Sequence, residues 1–168
     1  MSLISFFKDA GEKLFGKKVQ EAQAAQATSS KPAAEVLAEA NREAAGAIEN
    51  YINTLGLTVT ALTVTFDGAT GIAKVYGVAK DQETKEKVIL AAGNVQGVAG
   101  VDDNMTVDLS QPPAQFYTVV KGDTLSKIAK EFYGNANEYQ RIFEANKPML
   151  THPDKIYPGQ NLRIPPKA

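Results

Sequence analysis

The amino-acid sequence predicts an α+β fold made of two consecutive groups of helices and strands. The first observation is a helical periodicity of apolar side chains over residues 34–55. The second is an alternation of threonine with larger apolar residues over 57–66, which is typical of a half-buried strand. The third is the stiff segment QPPAQ at 111–115, after which a new set of helix and strand patterns begins. A chain of 168 residues is long enough for two small domains.

The first group has the order helix, strand, strand, helix, strand. We predict a helix over 34–55, strands over 57–66 and 73–79, a helix over 81–93 and a strand over 104–110. Gly56 should end the first helix, and the DGATG turn should join the two strands as a β-hairpin. Asp81 is the predicted N-cap of the second helix. We assign residues 34–110 to this first domain and 111–115 to a linker.

Residues 116–166 form the second predicted domain, with the order strand, helix, helix, strand. Asp123 is the predicted cap of its first helix, which should end at Gly134. Asn135 or Asn137 can cap its second helix. A Pro-Gly turn at 158–159 precedes the last strand.

Residues 1–33 precede both domains. Apolar residues at helical spacing predict a short amphipathic helix over 3–15, interrupted at Gly11. This helix can dock on the following domain, which we favour, or lie on a membrane surface. The Gln/Ala-rich residues 17–33 have no sustained apolar face and predict a solvated helical extension or a flexible linker.

The composition argues against several classes of function. The chain has no cysteine and one histidine, His152, which excludes thiolate and multi-histidine metal sites. No nucleophile, acid or base has a recognisable partner, so we expect no enzymatic activity. Residues 34–110 hold 11 acidic and 5 basic side chains, which favours cations and disfavours nucleic acid. Without a signal-like or membrane-spanning run, we expect a cytoplasmic protein, and we expect it to be a monomer.

Four motifs in the second predicted domain point to a known family. They are YTV at 117–119, GDTL at 122–125, IYPGQ at 156–160 and LRIP at 162–165. With these motifs, residues 116–166 resemble a LysM domain. The resemblance implies a βααβ fold and, in many members, a shallow groove that binds N-acetylglucosamine-containing glycans. On this chain the glycan groove would be lined by Gly122, Asp123, Thr124, Leu125, Met149 and Leu150.

The first predicted domain is similar to a BON domain. The residues that carry this similarity are the DGATG hairpin, the helix that begins Asp81-Gln82-Glu83 and the segment GVAGVDD at 97–103. A BON domain followed by one LysM domain, with FFKDAGEKLF at 6–15, resembles a family of bacterial cytoplasmic potassium-binding proteins. Residues 17–33 depart from that family's pattern. The resemblance implies that K⁺ is bound between the N-terminal segment and the BON half, and that binding orders the protein, as in a sensor.

The segment AAGNVQGVAGVDD at 91–103 suits such a K⁺ site. Selective K⁺ sites can replace water by backbone carbonyl oxygens, and glycine permits the turns that bring carbonyls together. The segment follows a helix whose last carbonyls lack partners and whose dipole is negative at that end. The predicted carbonyl donors are Phe7, Ala10, Lys13, Gly93, Val95 and Val98.

Other interpretations stay open. The glycine-rich segment can be only a helix C-cap and a tight connection. A phosphate-binding loop is disfavoured, because GNVQGVAG lacks a Lys-Ser/Thr pair and follows a helix. Asp102 and Asp103 could take a divalent ion, but adjacent residues of an extended chain point apart, which favours a solvated pair. For the whole chain, the alternatives to K⁺ binding are LysM-mediated binding of peptidoglycan at the cell envelope, recognition of a protein by the LysM domain, and phospholipid binding.

Overall fold

The computed structural model describes residues 2–5, 32–109 and 112–167. Its elements in chain order are β1 (Ser2–Ser5), α1 (Ala33–Thr54), β2 (Val59–Asp67), β3 (Ile72–Asp81), α2 (Gln82–Gly93), β4 (Gly100–Leu109), β5 (Gln115–Thr118), α3 (Leu125–Tyr133), a 3-10 helix (Ala136–Glu138), α4 (Tyr139–Ala145) and β6 (Asn161–Ile164). The predicted α+β class is confirmed, and so are the orders αββαβ and βααβ. The added 3-10 helix directly precedes α4.

The N-terminal unit consists of β1 to β4 with α1 and α2. Its sheet has the order β1-β4-β3-β2. Because α2 is the crossover connection between them, β3 and β4 are parallel, whereas the other neighbours are antiparallel. Both helices pack on one face of the sheet, in a core that includes Ile48, Ile52, Val75 and Val88. No described helix covers the opposite face, on which Tyr76 is exposed.

The C-terminal unit consists of β5, α3, the 3-10 helix, α4 and β6. β5 and β6 form an antiparallel sheet of two strands. The helices pack on this ribbon around Leu125, Ile128, Ile142 and Leu162, all of which are buried. This core is a cluster of its own, separate from the core of the N-terminal unit. Among the described residues, no helix is long and apolar enough to cross a membrane.

The ends of three helices follow the predicted signals, and one cap does not. Gly56 and Gly134 have φ angles of +70° and +76°, as glycines that end α1 and α3 should. The predicted cap at Asp123 is wrong, because the Thr124 hydroxyl accepts the hydrogen bond from the Lys127 amide at 3.2 Å. Asp123 instead accepts hydrogen bonds from the Tyr117 hydroxyl and a backbone amide within the turn before α3.

Asp81 caps α2, as predicted, and its carboxylate accepts a hydrogen bond from the Thr84 amide at 2.7 Å. Burial acts to raise the pKa of Asp81, but the hydrogen bonds from Thr84 outweigh it and the pKa lies below its ordinary value. A carboxyl group with a lowered folded-state pKa stabilises the protein at neutral pH. That contribution is lost as the pH falls through the folded pKa.

We therefore expect Asp81→Ala to lower the free energy of unfolding at neutral pH by about 1 kcal/mol. Asp81→Asn should lower it by less, because asparagine retains the oxygen that accepts from Thr84. Below a pH of about 4, the difference in free energy of unfolding between the wild type and Asp81→Ala should shrink. The difference between Asp81→Asn and Asp81→Ala should stay constant, because asparagine does not titrate. Urea unfolding of the three proteins across pH measures this, and a wild-type advantage that stays constant into acid would contradict it.

The predicted N-terminal helix over 3–15 is wrong at its start. Ser2–Ser5 form β1, which pairs with Gly100–Asp103 of β4 at the edge of the sheet. The remainder of the predicted helix lies outside the described residues. The backbone groups on the outer edge of β4 form hydrogen bonds with a segment far away in sequence. Local periodicity does not reveal such pairing. β4 also begins at Gly100, before its predicted start at 104.

Candidate functional site

The loop of residues 94–99 connects the end of α2 to the start of β4. Its first amides close the helix, because the Asn94 amide donates to the Leu90 carbonyl at 3.0 Å and the Val95 amide to the Ala92 carbonyl at 3.3 Å. Gly97 has a φ angle of +97°, which a residue with a side chain rarely adopts. The helix therefore ends in a sharp reversal, and the last carbonyls of α2 lie beside the loop.

Three predicted carbonyl donors belong to this region, and all three residues are buried. Gly93 ends α2, while Val95 and Val98 are fully buried in the loop. Within the described residues, neither the Gly93 nor the Val98 carbonyl oxygen accepts a backbone hydrogen bond. The Val95 carbonyl accepts one from the Val98 amide at 3.1 Å, but a carbonyl oxygen has a second lone pair. Carbonyl oxygens with spare lone pairs at the negative end of a helix dipole suit a cation.

The turn of the β2–β3 hairpin holds the loop from one side. The Ala99 amide donates to the Gly71 carbonyl at 2.7 Å. A Cβ atom at position 71 would lie 3.0 Å from the Ala99 Cβ and 3.1 Å from the Gly97 carbonyl oxygen, at a φ angle of +70°. Only glycine fits this contact without strain, so the hairpin and the loop form one rigid corner.

β1 pairs with the start of β4, directly after the loop. In the antiparallel register, Ser5 lies opposite Gly100 and Ser2 lies opposite Asp103. The chain therefore leaves β1 at the end where the loop enters β4. The other predicted carbonyl donors, Phe7, Ala10 and Lys13, follow Ser5 in sequence and lie outside the described residues.

Of the two acids after the loop, Asp103 has a structural role. Asp103 forms an ion pair with Lys85 of α2 at 2.9 Å, and only 13% of the Asp103 side chain is exposed. Its second oxygen accepts from the Met105 amide at 3.0 Å. The favoured solvated pair is thus wrong for Asp103, because the face of β4 that carries it is covered by α2. Among the described residues, no group of three His, Asp or Glu side chains could hold a metal ion.

The single histidine has no catalytic partner in the described part of the chain. The His152 side chain is 58% exposed, and its Nδ1 accepts from the Asp154 amide at 3.2 Å. This contact is a local turn contact within a surface loop.

A buried polar contact between the two units was not predicted. Glu86 of α2 and Arg163 of β6 form an ion pair of 2.6 Å, and their side chains are 5% and 8% exposed. The other Glu86 oxygen accepts from the Ala114 amide and from the Gln82 side chain, both at 2.8 Å. The Glu86 carboxylate thus contacts α2 itself, the segment that connects the two units, and β6. In the sequence it resembles any other acid in the early turns of a helix.

A second contact of this kind involves the loop itself. The Asn94 side chain donates to the Asn161 carbonyl at 3.1 Å and accepts from the Asn161 amide at 3.0 Å. Met149 of the C-terminal unit packs against the core of the N-terminal unit. The sequence offers one signal for Asn94, its position directly after a helix, and that signal indicates a cap and gives no indication of a contact between units.

The residues of the implied glycan groove are brought together only in part. Gly122 and Thr124 are exposed, whereas Leu125 and Leu150 are each 2% exposed and belong to the C-terminal core. Met149 packs against the core of the N-terminal unit. The Asp123 carboxylate is engaged by the Tyr117 hydroxyl at 2.8 Å. Burial, followed by this hydrogen bond, raises the pKa of Tyr117 to about 12.

Comparison with known proteins identifies the C-terminal unit and one relative of nearly the whole chain. Residues 117–165 match the family model of the LysM domain. An Escherichia coli O6:H1 protein, the potassium binding protein Kbp, is 46% identical over 169 aligned residues, which cover 98% of this chain and 99% of the relative. An uncharacterized protein of Deinococcus radiodurans is 41% identical over 96 residues, which cover 51% of this chain and 37% of that relative. With such identity over nearly its whole length, this chain belongs to the family of the potassium binding protein Kbp.

Proposed function

We propose that this chain binds K⁺ through backbone carbonyl oxygens of two segments, the loop after α2 and the N-terminal segment. The observation that supports the proposal is the pairing of β1 with the first four residues of β4, which puts Ser5 opposite Gly100, the residue that follows the loop. The name of the E. coli relative supports K⁺ as the ion. The proposed donors are Gly93, Val95 and Val98 in the loop, with Phe7, Ala10 and Lys13 in the N-terminal segment.

The chemistry of the corner suits a large univalent ion. Divalent ions are held mainly by carboxylates, and Asp103, the half-buried acid near the loop, is already paired with Lys85. Backbone carbonyl dipoles supply enough attraction to replace the loosely held water of K⁺. The C-terminal end of α2 adds a partial negative charge of about half an elementary charge. No side-chain ligand is needed.

Binding of this kind would also order the protein, since its ligands come from segments separated by some eighty residues of sequence. A ligand that binds only the folded arrangement stabilises it in proportion to the logarithm of ligand concentration. We infer that the chain is a monomeric, cytoplasmic, non-enzymatic ion sensor. Its stability and compactness would report the K⁺ concentration.

Isothermal titration of the full chain with KCl and with NaCl tests this proposal, with choline chloride keeping the ionic strength constant. We expect saturable heat at one site with K⁺, no saturable heat with Na⁺, and a melting temperature that rises with K⁺ concentration. Equal heats and equal melting temperatures in the two salts would show that K⁺ is not a specific ligand.

The LysM match supports a second candidate function, the binding of N-acetylglucosamine-containing glycans. In this arrangement of the two units, Met149 is engaged by the N-terminal unit and the Asp123 carboxylate by Tyr117. Glycan binding would therefore require these groups to be released. A titration with chitin oligosaccharides in the presence and absence of K⁺ separates the two functions.

A further inference from the structure

The Asn94 side chain forms hydrogen bonds with the outer edge of β6, as a neighbouring strand would. β6 belongs to a sheet of two strands, so its outer edge has no strand neighbour within the described residues. A side-chain amide presents a donor and an acceptor in nearly the arrangement of a peptide group. Asn94 uses both, against the carbonyl and the amide of Asn161, and is 7% exposed. Two hydrogen bonds in a dry contact hold its orientation firmly.

Asn94 lies between the proposed loop donors in sequence. Gly93 precedes it and Val95 follows it, so the peptide planes that carry the Gly93 carbonyl and the Asn94 carbonyl both end at its Cα atom. Its own amide is fixed to the Leu90 carbonyl at 3.0 Å. With its backbone amide and its side chain both held, the residue has little freedom to rotate these planes.

β6, which carries Asn161, is also held against α2. Arg163, two residues after Asn161 on the same strand, forms the buried ion pair with Glu86 of α2. Asn161 and Arg163 of β6 therefore contact the C-cap of α2 and the second turn of the same helix. The C-terminal unit is thus built against the element that ends in the proposed cation loop.

We propose that Asn94 is a positioning residue for K⁺ binding, through which β6 of the LysM domain holds the loop carbonyls in their ligating orientation. The proposal rests on the proposed function and adds a mechanism to it. Docking of the LysM domain and binding of K⁺ are then linked, and each favours the other by the same factor. Asn94 itself contributes no ligand through its side chain, whose polar atoms are engaged by Asn161.

Asn161 supplies a matched control, since it contributes to the contact only through its backbone. Its side-chain oxygen accepts from the Thr118 hydroxyl at 2.8 Å, and its Nδ2 atom has no hydrogen-bond partner among the described residues. Asn161→Ala therefore disturbs the C-terminal unit but retains both hydrogen bonds to Asn94. Asn94→Ala makes the same substitution on the other side of the contact and removes both. Asn94→Leu also removes both hydrogen bonds but nearly conserves the side-chain volume. It serves as a second variant if Asn94→Ala destabilises the chain too far.

The experiment measures K⁺ affinity by isothermal titration, and melting temperature with and without K⁺, for the wild type and these variants of the full chain. We expect Asn94→Ala and Asn94→Leu to weaken K⁺ binding by about five-fold or more, within the usual range of allosteric coupling. Asn161→Ala should lower the melting temperature in both salts and leave K⁺ affinity within about two-fold of the wild type, because its contact with the loop is intact.

The possible outcomes separate the two claims. If the wild type itself binds no K⁺, the proposed function is wrong, and the positioning role is wrong with it. If the wild type binds K⁺ and the Asn94 variants bind equally well, with melting temperatures lowered alike in both salts, Asn94 is only a structural contact and the inference is wrong. Weakening by Asn161→Ala as large as that by Asn94→Ala would also overturn it, since general loss of stability would then explain both.

Discussion

Arg163→Met should lower the free energy of unfolding by about 3–5 kcal/mol, one of the largest effects of any single substitution in this chain. Methionine retains much of the arginine side-chain volume but leaves the Glu86 carboxylate without its cation. That carboxylate is 5% exposed, so water cannot replace the lost partner. Two hydrogen bonds, from Gln82 and Ala114, remain and do not neutralise the charge. Urea unfolding at neutral pH measures the loss.

A double variant and a surface control make this prediction specific. Glu86→Gln together with Arg163→Met removes both charges and retains an oxygen for the Ala114 amide, so it should recover much of the stability lost by Arg163→Met alone. Lys80→Met breaks the contact of an exposed lysine with Asp81, and should cost less than about 1 kcal/mol. If Arg163→Met is as mild as Lys80→Met, the ion pair does not hold the two units together.

Deletion of residues 1–15 should abolish K⁺ binding. The deletion removes β1 from the edge of β4 and, on the proposed assignment, removes Phe7, Ala10 and Lys13 as carbonyl donors. The remaining loop oxygens could not surround an ion alone, because K⁺ sites need carbonyls from several directions to replace the hydration shell. The described core around Ile48 and Val75 is built from residues that the deletion retains, so we expect the truncated chain to stay folded.

Calorimetry with KCl, with circular dichroism as a check of folding, measures the outcome. In the matched control, residues 17–31 are replaced by a Gly/Ser sequence of equal length, which retains the N-terminal segment and the reach of the connection. This control should bind K⁺ with an affinity close to that of the wild type. K⁺ binding that survives deletion of residues 1–15 would show that the ligands lie elsewhere.

The elements of the fold follow from local signals in the sequence. The helical periodicity of residues 34–55, the alternating strands and the caps at Asp81 and Gly134 are contacts between near neighbours, and the structure contains them. The cap at Asp123 failed because Thr124 next to it can also cap a helix. The hydrogen bond from the Tyr117 hydroxyl engages Asp123 in the preceding turn, and Thr124 caps the helix.

The parts that local signals could not predict depend on residues far apart in sequence. β1 was taken for the start of a helix because its pairing partner, Gly100–Asp103, is about a hundred residues away. The contacts of Glu86 with Arg163 and of Asn94 with Asn161 span 77 and 67 residues. Each of these residues has an ordinary local explanation, as a helical acid or as a helix end. The glycine-rich loop became a candidate cation site because the family resemblance implied K⁺ binding there, and the spare carbonyls that follow a helix, a local property, agree with it.

The central claim is that backbone carbonyl oxygens of the loop after α2 and of the N-terminal segment bind K⁺. The most direct test follows carbonyl ¹³C chemical shifts of the full chain during a KCl titration at constant ionic strength. We expect the largest shifts, saturating together, at Gly93, Val98 and the carbonyls that follow Ser5. Shifts confined to Asp and Glu side-chain carboxyl carbons, with the loop carbonyls unchanged at saturation, would contradict it.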